Sequence, residues 1–212
     1  MSFSLPQLYP ILDASFLPDF ERGIYLARVV CDLESAGVTL LQYRNKQGSE
    51  EDILADAERM RKAATHKLKL IMNDHPELAV RAKFDGVHVG QQDLSPVEAR
   101  RIVGDGLIVG VSTHNHAQLE TADSMPVDYI AFGPVYATAS KLNPEPVVGL
   151  DGVREARSLT HKPLVAIGGI TVENAAAVLA AGANSVAMIS ALFVPGREPA
   201  EVAKAFFAAL GR

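Results

Sequence analysis

Three short stretches of this chain hold residues that could do chemistry together. One runs Leu70-Ile71-Met72-Asn73-Asp74, and another runs Val87-His88-Val89-Gly90-Gln91-Gln92-Asp93. Each is an apolar run that ends in oxygen donors, and between them Pro76, Glu77, Leu78, Ala79 and Ala82 make a short helical pattern. In a parallel strand–helix–strand unit both strands point the same way, so Asp74 and Asp93 emerge at one rim of the sheet. Two carboxylates beside Asn73 suit a hard cation such as Mg²⁺, which takes one or two carboxylates and leaves its other positions to water and substrate phosphate. A plainer use of the same residues has Asp74 capping the helix near Pro76 and Asp93 as a solvated loop acid. The third stretch, Leu40 to Lys46, alternates Gln42, Arg44 and Lys46 with Leu41, Tyr43 and Asn45. Side chains two apart in a strand share a face, and two cations with an amide on one face are costly to bury unless they meet an anion. With Asp74 and Asp93 on the same rim, a diphosphate chelating Mg²⁺ is the natural anion.

A second anion site is expected at the end of the chain, where Ala166-Ile167-Gly168-Gly169-Ile170-Thr171 and Ala187-Met188-Ile189-Ser190 close two further apolar runs. Exposed backbone N–H groups and a helix N-terminus favour negative charge there, and Gly169 lets a ligand approach the backbone. Two phosphate sites, one with metal, imply two phosphorylated small-molecule substrates. A long loop from Gly133 through Thr138, Ser140 and Lys141 to Pro146 adds hydroxyls and a cation, and loops of this length in compact proteins are usually functional. Ser112-Thr113-His114 offers a Ser/His pair but no G-x-S-x-G turn, so Ser112 is read as a polar contact to a substrate ring and His114 as a rim residue. His88, inside an apolar run, is read as a core histidine, and no second well-spaced His or Cys suggests zinc.

Eight apolar runs alternate with amphipathic segments, which calls for a (β/α)₈ TIM barrel with its active site at the carboxyl ends of the strands. The strands are drawn at 8–12, 39–44, 68–73, 86–90, 107–112, 129–134, 164–168 and 185–190. An open doubly wound sheet is the alternative, but no G-x-G-x-x-G follows the first strand. Ile24, Ala27 and Cys31 make one helical stripe, and Ile53, Ala57, Met60 and Ala64 another. Ser95-Pro96-Val97-Glu98 reads as a capping box with proline at N1; Asn115 and Thr171 read as N-caps and Gly182 as a C′ residue.

The chain has 212 residues, 48% hydrophobic and 21% charged, with a formal net charge of -5. That composition fits a globular chain of one domain spanning 1–212. No dense Lys/Arg run is present, so neither nucleic acid nor an anionic membrane is expected as a partner. Oligomeric state is not written in the chain, and a homo-oligomer is compatible with it. The lone Cys31 is expected in the core of a protein in a reducing compartment. With no basic-then-apolar leader and no apolar stretch of spanning length, a cytoplasmic protein is expected.

The motifs QYRNK (42–46), ND (73–74), GVHVGQQD (86–93), GVSTHN (110–115), GPVYATASK (133–141), AIGGIT (166–171) and MIS (188–190) fall in order on seven of the eight strand ends. Together, from about Leu8 to Phe193, the chain resembles the thiamine phosphate synthase family. The resemblance implies a (β/α)₈ barrel that joins a pyrimidine diphosphate to a thiazole phosphate with Mg²⁺, releasing pyrophosphate. It assigns the diphosphate substrate to Gln42, Tyr43, Arg44, Asn45, Lys46, Asn73 and Lys141, with Ser112 on the pyrimidine and Arg44, Lys46, Lys141 and Ser112 acting in catalysis. Asp74 and Asp93 would hold Mg²⁺, and Thr138, Ala139, Ser140, Gly169, Ile189 and Ser190 would line the thiazole phosphate site. Two positions depart from the family pattern: Ala137 stands where proline is frequent and Ser140 where threonine is. A tautomerase of the same superfamily tends to lack the metal acids and the diphosphate strand, and a non-catalytic sensor would be expected to have lost a leaving-group contact or a metal ligand; this chain keeps them.

Overall fold

Strands that are apolar on both faces need cover on both sides, and closing them into a cylinder removes the unpaired edges. The computed structural model describes residues 4–138 and 145–211. Its strands are β1 (Leu8–Asp13), β2 (Leu40–Arg44), β3 (Lys69–Asn73), β4 (Gly86–Val89), β5 (Ile108–Thr113), β6 (Tyr129–Phe132), β7 (Leu164–Ile167) and β8 (Ser185–Met188). They pair in chain order, parallel throughout, and β8 pairs back onto β1 with Leu8 beside Val186. The helices are α1 (Arg22–Ser35), α2 (Glu50–Ala63), α3 (Pro76–Arg81), α4 (Pro96–Val103), α5 (His116–Asp123), α6 (Gly149–Leu159), α7 (Ala175–Ala180) and α8 (Pro199–Ala209). The chain thus forms the expected (β/α)₈ barrel, and the β1–β8 pairing excludes the open sheet.

Alternation along each strand sorts the core into two layers. Leu41 and Tyr43 of β2, with Leu70 and Met72 of β3, face outward and pack with the helices. Leu40, Tyr9, Ile11, Ile71, Tyr129, Ala131, Val165 and Ala187 fill the cylinder. The same alternation delivers Gln42 and Arg44 to the inside of the barrel.

Helix starts follow the expected chemistry. Ser95 and Glu98 form a capping box at α4 with Pro96 at the start, and Asn115 caps α5 by accepting from the Gln118 N–H at 2.9 Å. Ser49 and Asp52 make a second capping box at α2, whose buried face is Ile53, Ala57 and Met60. Thr171 is not an N-cap: α7 begins after Asn174, whose side chain accepts from the Thr171 N–H and donates to the Gly169 carbonyl, tying a turn between strand and helix. Nor does Asp74 cap α3; the N-cap position is His75, without a side-chain cap bond. The sixth and eighth strands stop two residues earlier than expected, at Phe132 and Met188.

The face of α1 is also different from the expected one. Leu26, Val29, Val30 and Leu33 are buried, whereas Ile24 is 68% exposed and Cys31 lies at the surface. Two apolar stripes compete on this helix, and the one with four large aliphatic side chains at i, i+3, i+4 and i+7 removes more area from water. Among the described residues no helix is long and apolar enough to cross a membrane.

The two stripes give a direct stability test. Leu33→Ala is expected to cost about 2–5 kcal/mol, as a buried leucine truncation does. Ile24→Ala should stay within about 0.5 kcal/mol of the parent, as exposed substitutions do. Urea unfolding midpoints of the two variants measure the difference.

Candidate functional site at the carboxyl-terminal mouth

The strand ends open into a cavity of ≈ 1690 Å³. Gln42 and Arg44 reach it from the inner face of β2, and Lys46 from the loop that follows. Arg44 is paired with Asp13 at the end of β1, its neighbour in register. Asp13 is held in turn by the Ser15 N–H at 2.9 Å and the Ser15 hydroxyl at 2.6 Å. The Lys46 ammonium is paired with Asp74 and lies 3.9 Å from Asp93, so the two acids from β3 and β4 meet over one cation. Asp93 also accepts from the Gly90 N–H at 2.8 Å.

The two acids are unequal. Burial, and then the hydrogen bond with Asp93, pushes the Asp74 carboxyl up, with Lys46 offsetting only part of this. Burial alone would raise Asp93 too, but hydrogen bonds with Asp74 and the Gly90 N–H, helped by Lys46, hold it below the usual carboxylate range. Two crowded carboxylates facing one ammonium are driven apart in this way, because a single cation does not fully neutralise them. Asp74 also takes a left-handed backbone, φ 66°, uncommon outside glycine. Beside it Asn73 is 8% exposed, and its side-chain N–H₂ finds no acceptor among the described residues. A buried donor aimed into a cavity is costly unless a ligand accepts from it.

Deeper in the barrel a polar chain links five strands. Gln42 donates to the Tyr9 hydroxyl at 2.9 Å, which bonds the Tyr129 hydroxyl at 2.8 Å. Tyr129 bonds His88 Nδ1 at 2.9 Å, and His88 Nε2 meets the Ser112 hydroxyl at 2.8 Å. Burial pushes both tyrosines up, so their hydroxyls stay protonated and supply hydrogen bonds rather than charge. His88 is therefore a core histidine with both nitrogens engaged, and it also sets the side chain of Ser112 at the cavity wall. Ser112 and His114, two residues apart, line the same cavity.

Of the residues singled out from sequence, Gln42, Arg44, Asn45, Lys46, Asn73, Asp74, Asp93, Ser112, Thr138, Gly169, Ile189 and Ser190 all border this cavity. The Tyr43 side chain does not: it is buried on the outer face of β2 and donates to Asp56 of α2 at 2.7 Å. Ala139, Ser140 and Lys141 lie outside the described residues. At Gly169, φ 62°, the space a side chain would need is taken by the Ala137 carbonyl, 2.5 Å from an ideal Cβ. The glycine thus seats the loop after β6 against the end of β7, where the Tyr136 N–H donates to the Gly168 carbonyl at 3.0 Å. Asp13 was missed in the sequence, although it ends the run Leu8–Leu12 as Asp74 ends Leu70–Asn73.

The donor set suits Mg²⁺ better than a metal caged by protein alone. Among the described residues no group of three or more His, Cys, Asp or Glu side chains could hold a metal. Two acids with spare negative charge match an ion that completes its octahedron with water and substrate phosphate.

Comparison with known proteins bears on the same strand ends. Residues 8–192 match the family model described as thiamine monophosphate synthase. The chain is 53% identical over 196 residues to the thiamine-phosphate synthase of Koribacter versatilis (strain Ellin345), covering 92% of this chain and 93% of that one. It is 41% identical over 163 residues to the thiamine-phosphate synthase of Agrobacterium fabrum (strain C58 / ATCC 33970), 74% of each. Its fold superimposes on the thiamine phosphate pyrophosphorylase of Pyrococcus furiosus with a TM-score of 0.83 at 25% identity, covering 97% of this chain and 95% of that one.

The raised Asp74 carboxyl makes a prediction about stability. A carboxyl whose folded pKa lies above its unfolded value opposes folding once ionised. The stability it lends is fully present below the unfolded pKa and is lost as pH rises through the folded one. Asp74→Asn never ionises and keeps a residue type that tolerates φ above zero. Its melting temperature should equal or exceed that of the parent at about pH 7, and any lead should shrink by about pH 4, where carboxylates protonate. Scanning calorimetry across that range gives the comparison.

Proposed function

The chain belongs to the thiamine monophosphate synthase family, and from that membership we propose that it joins an aminopyrimidine carried on a diphosphate to a thiazole phosphate, releasing pyrophosphate. The observation that carries the proposal is the meeting of Lys46 with Asp74 and Asp93 at adjacent strand ends, beside the Arg44–Asp13 pair. Acids and cations interleaved on one rim are suited to a polyanion that arrives with its own divalent ion. Mg²⁺, held by Asp74 and Asp93, would supply charge neutralisation on the diphosphate.

This chain's own residues divide the work. Arg44, Lys46 and Lys141 would neutralise the charge that grows on the leaving diphosphate, and the Asn73 N–H₂, without an acceptor among the described residues, would donate to one of its oxygens. Ser112, set by His88, and Gln42, set by Tyr9, would hold the pyrimidine. Thr138, Ala139, Ser140, Gly169, Ile189 and Ser190 would hold the thiazole phosphate in line behind it. The bond from the pyrimidine methylene carbon to oxygen breaks, its electron pair leaving with pyrophosphate and the pyrimidine amino group stabilising the cation. The thiazole nitrogen lone pair then forms the new carbon–nitrogen bond. That nitrogen has no proton to lose, so the site needs neither a side-chain nucleophile nor a strong general base. The inside of the barrel matches this, since its tyrosines stay protonated and both nitrogens of His88 are occupied. We read residues 1–212 as one catalytic domain working in the cytoplasm, where the single cysteine stays reduced.

The test is a single-vessel assay with both substrates, with Mg²⁺ or with a chelator, measuring thiamine phosphate and pyrophosphate together. Equal amounts of the two products, formed only with metal, are expected. Asp93→Ala should lower kcat by roughly 10²–10³-fold while circular dichroism stays that of the parent, the usual loss when charge stabilisation at a leaving group is removed. Pyrophosphate without thiamine phosphate would place the fault in the thiazole half, near Ala137 and Ser140. Neither product from folded protein would sink the proposal.

A further inference from the structure

The outward face of β2 carries a polar cluster that the proposed reaction does not use. Asp56 of α2 is only 3% exposed, an acid buried between helix and sheet. It accepts from the Tyr43 hydroxyl at 2.7 Å and from Arg22 Nε of α1 at 2.7 Å, with Arg59 3.4 Å from its other oxygen. Asn45 then donates to the Tyr43 hydroxyl at 3.2 Å. The Asn45 side-chain oxygen, Oδ1, accepts from the backbone N–H groups of Gln47, at 3.2 Å, and Gly48, at 2.8 Å. The loop is closed so tightly that a Cβ on Gly48 would lie 2.4 Å from Asn45 Nδ2. Lys46 is the one residue of this turn whose side chain leaves it for Asp74 and Asp93.

We propose that Tyr43 and Asp56 are positioning residues, which fix the Asn45–Gly48 turn from outside the barrel and so hold the Lys46 ammonium over the acid pair. Each step is a short-range constraint. Asp56, neutralised by Arg22, gives the phenol a fixed acceptor, and the phenol oxygen gives Asn45 a fixed one. Asn45 spends its remaining oxygen on the two N–H groups that follow Lys46. Tyr43 cannot touch a ligand in the cavity by its side chain, because alternation turns it away from Gln42 and Arg44. Burial, followed by the neighbouring Asp56, pushes the Tyr43 phenol up, so it keeps the proton it donates. Lysine has a flexible stem and binds phosphate as a point charge, so its placement depends on the backbone that carries it. Removing the phenol oxygen leaves the ring packed but frees the turn.

This inference rests on the assignment of Lys46 to the diphosphate, and the experiment separates the two. Pyrophosphate with Mg²⁺ is titrated into the parent, Tyr43→Phe, Lys46→Ala and the double variant, with affinity read by calorimetry and fold by thermal melting. Tyr43→Phe is expected to weaken pyrophosphate on the order of 10-fold, the scale on which outer partners act through an inner ligand. In the Lys46→Ala background it should add less than about 2-fold, because residues that act through one another are not additive. Asp56→Asn, if it folds, should give the same pattern. An equal loss in both backgrounds, or no loss from Tyr43→Phe, would overturn the inference and leave the Lys46 assignment standing. No loss from Lys46→Ala itself would overturn both.

Discussion

Charge taken out of water has to be answered by opposite charge, and at the mouth of this barrel the answers are arranged in pairs. Arg44 faces Asp13, and Lys46 faces Asp74 and Asp93. A lone cation at these half-buried positions would lower its pKa or draw in water, and a lone acid would protonate. Pairing answers each charge in part without a ligand, and leaves the groups placed to exchange partners with a more highly charged one. The acid pair is the least settled member, since one ammonium stands against two carboxylates and Asp74 is pushed up as a result. Surplus negative charge of this kind is what a divalent ion relieves.

The pairing depends on the barrel. Asp13, Arg44, Asp74 and Asp93 come from four successive units, and only a closed parallel sheet brings the ends of β1 to β4 to one side. Register does the rest: Asp13 lies beside Arg44, and Asn73 beside His88. A slip by one residue in β2 would turn Gln42 and Arg44 out to the helices and bring Leu41 and Tyr43 into the cavity. The apolar contacts of Leu41 and Tyr43 with the helix layer therefore hold the cations in place, although neither residue touches the site.

How much of this could be read in the sequence follows from how local each signal is. Strand alternation and apolar runs ending in Asn-Asp or Gln-Gln-Asp are local, and they point Gln42, Arg44, Asn73, Asp74 and Asp93 to one rim, where all five line the cavity. Capping boxes are local too, and the one at Ser95 stands where its spacing put it. The buried face of α1 is not local. Ile24, Ala27 and Cys31 have helical spacing as good as Leu26, Val29, Val30 and Leu33, and the choice is made by which stripe joins the core shared with the neighbouring helices α2 and α8. The inward pair of tyrosines was hidden for the same reason: Tyr9 and Tyr129 are 120 residues apart in the chain, and only closure sets their hydroxyls 2.8 Å from each other. Resemblance put Tyr43 with its neighbours on the diphosphate, where alternation alone would have kept it apart.

That separation bears on how a binding strand is built. In β2 the even positions, Gln42 and Arg44, serve the cavity, while the odd position Tyr43 serves the support behind it. A strand that ends in a polar loop needs both, because a cation on a free loop loses conformational entropy each time it meets a ligand. Asp56 and Arg22 meet that cost once, on folding, as an ion pair between a buried acid and a partly buried arginine, with the Tyr43 hydroxyl on the same acid. Such a pair contributes little to stability compared with apolar side chains of the same size. Its presence behind the loop that carries Lys46 is accounted for by precision at the mouth, which an apolar replacement would not provide.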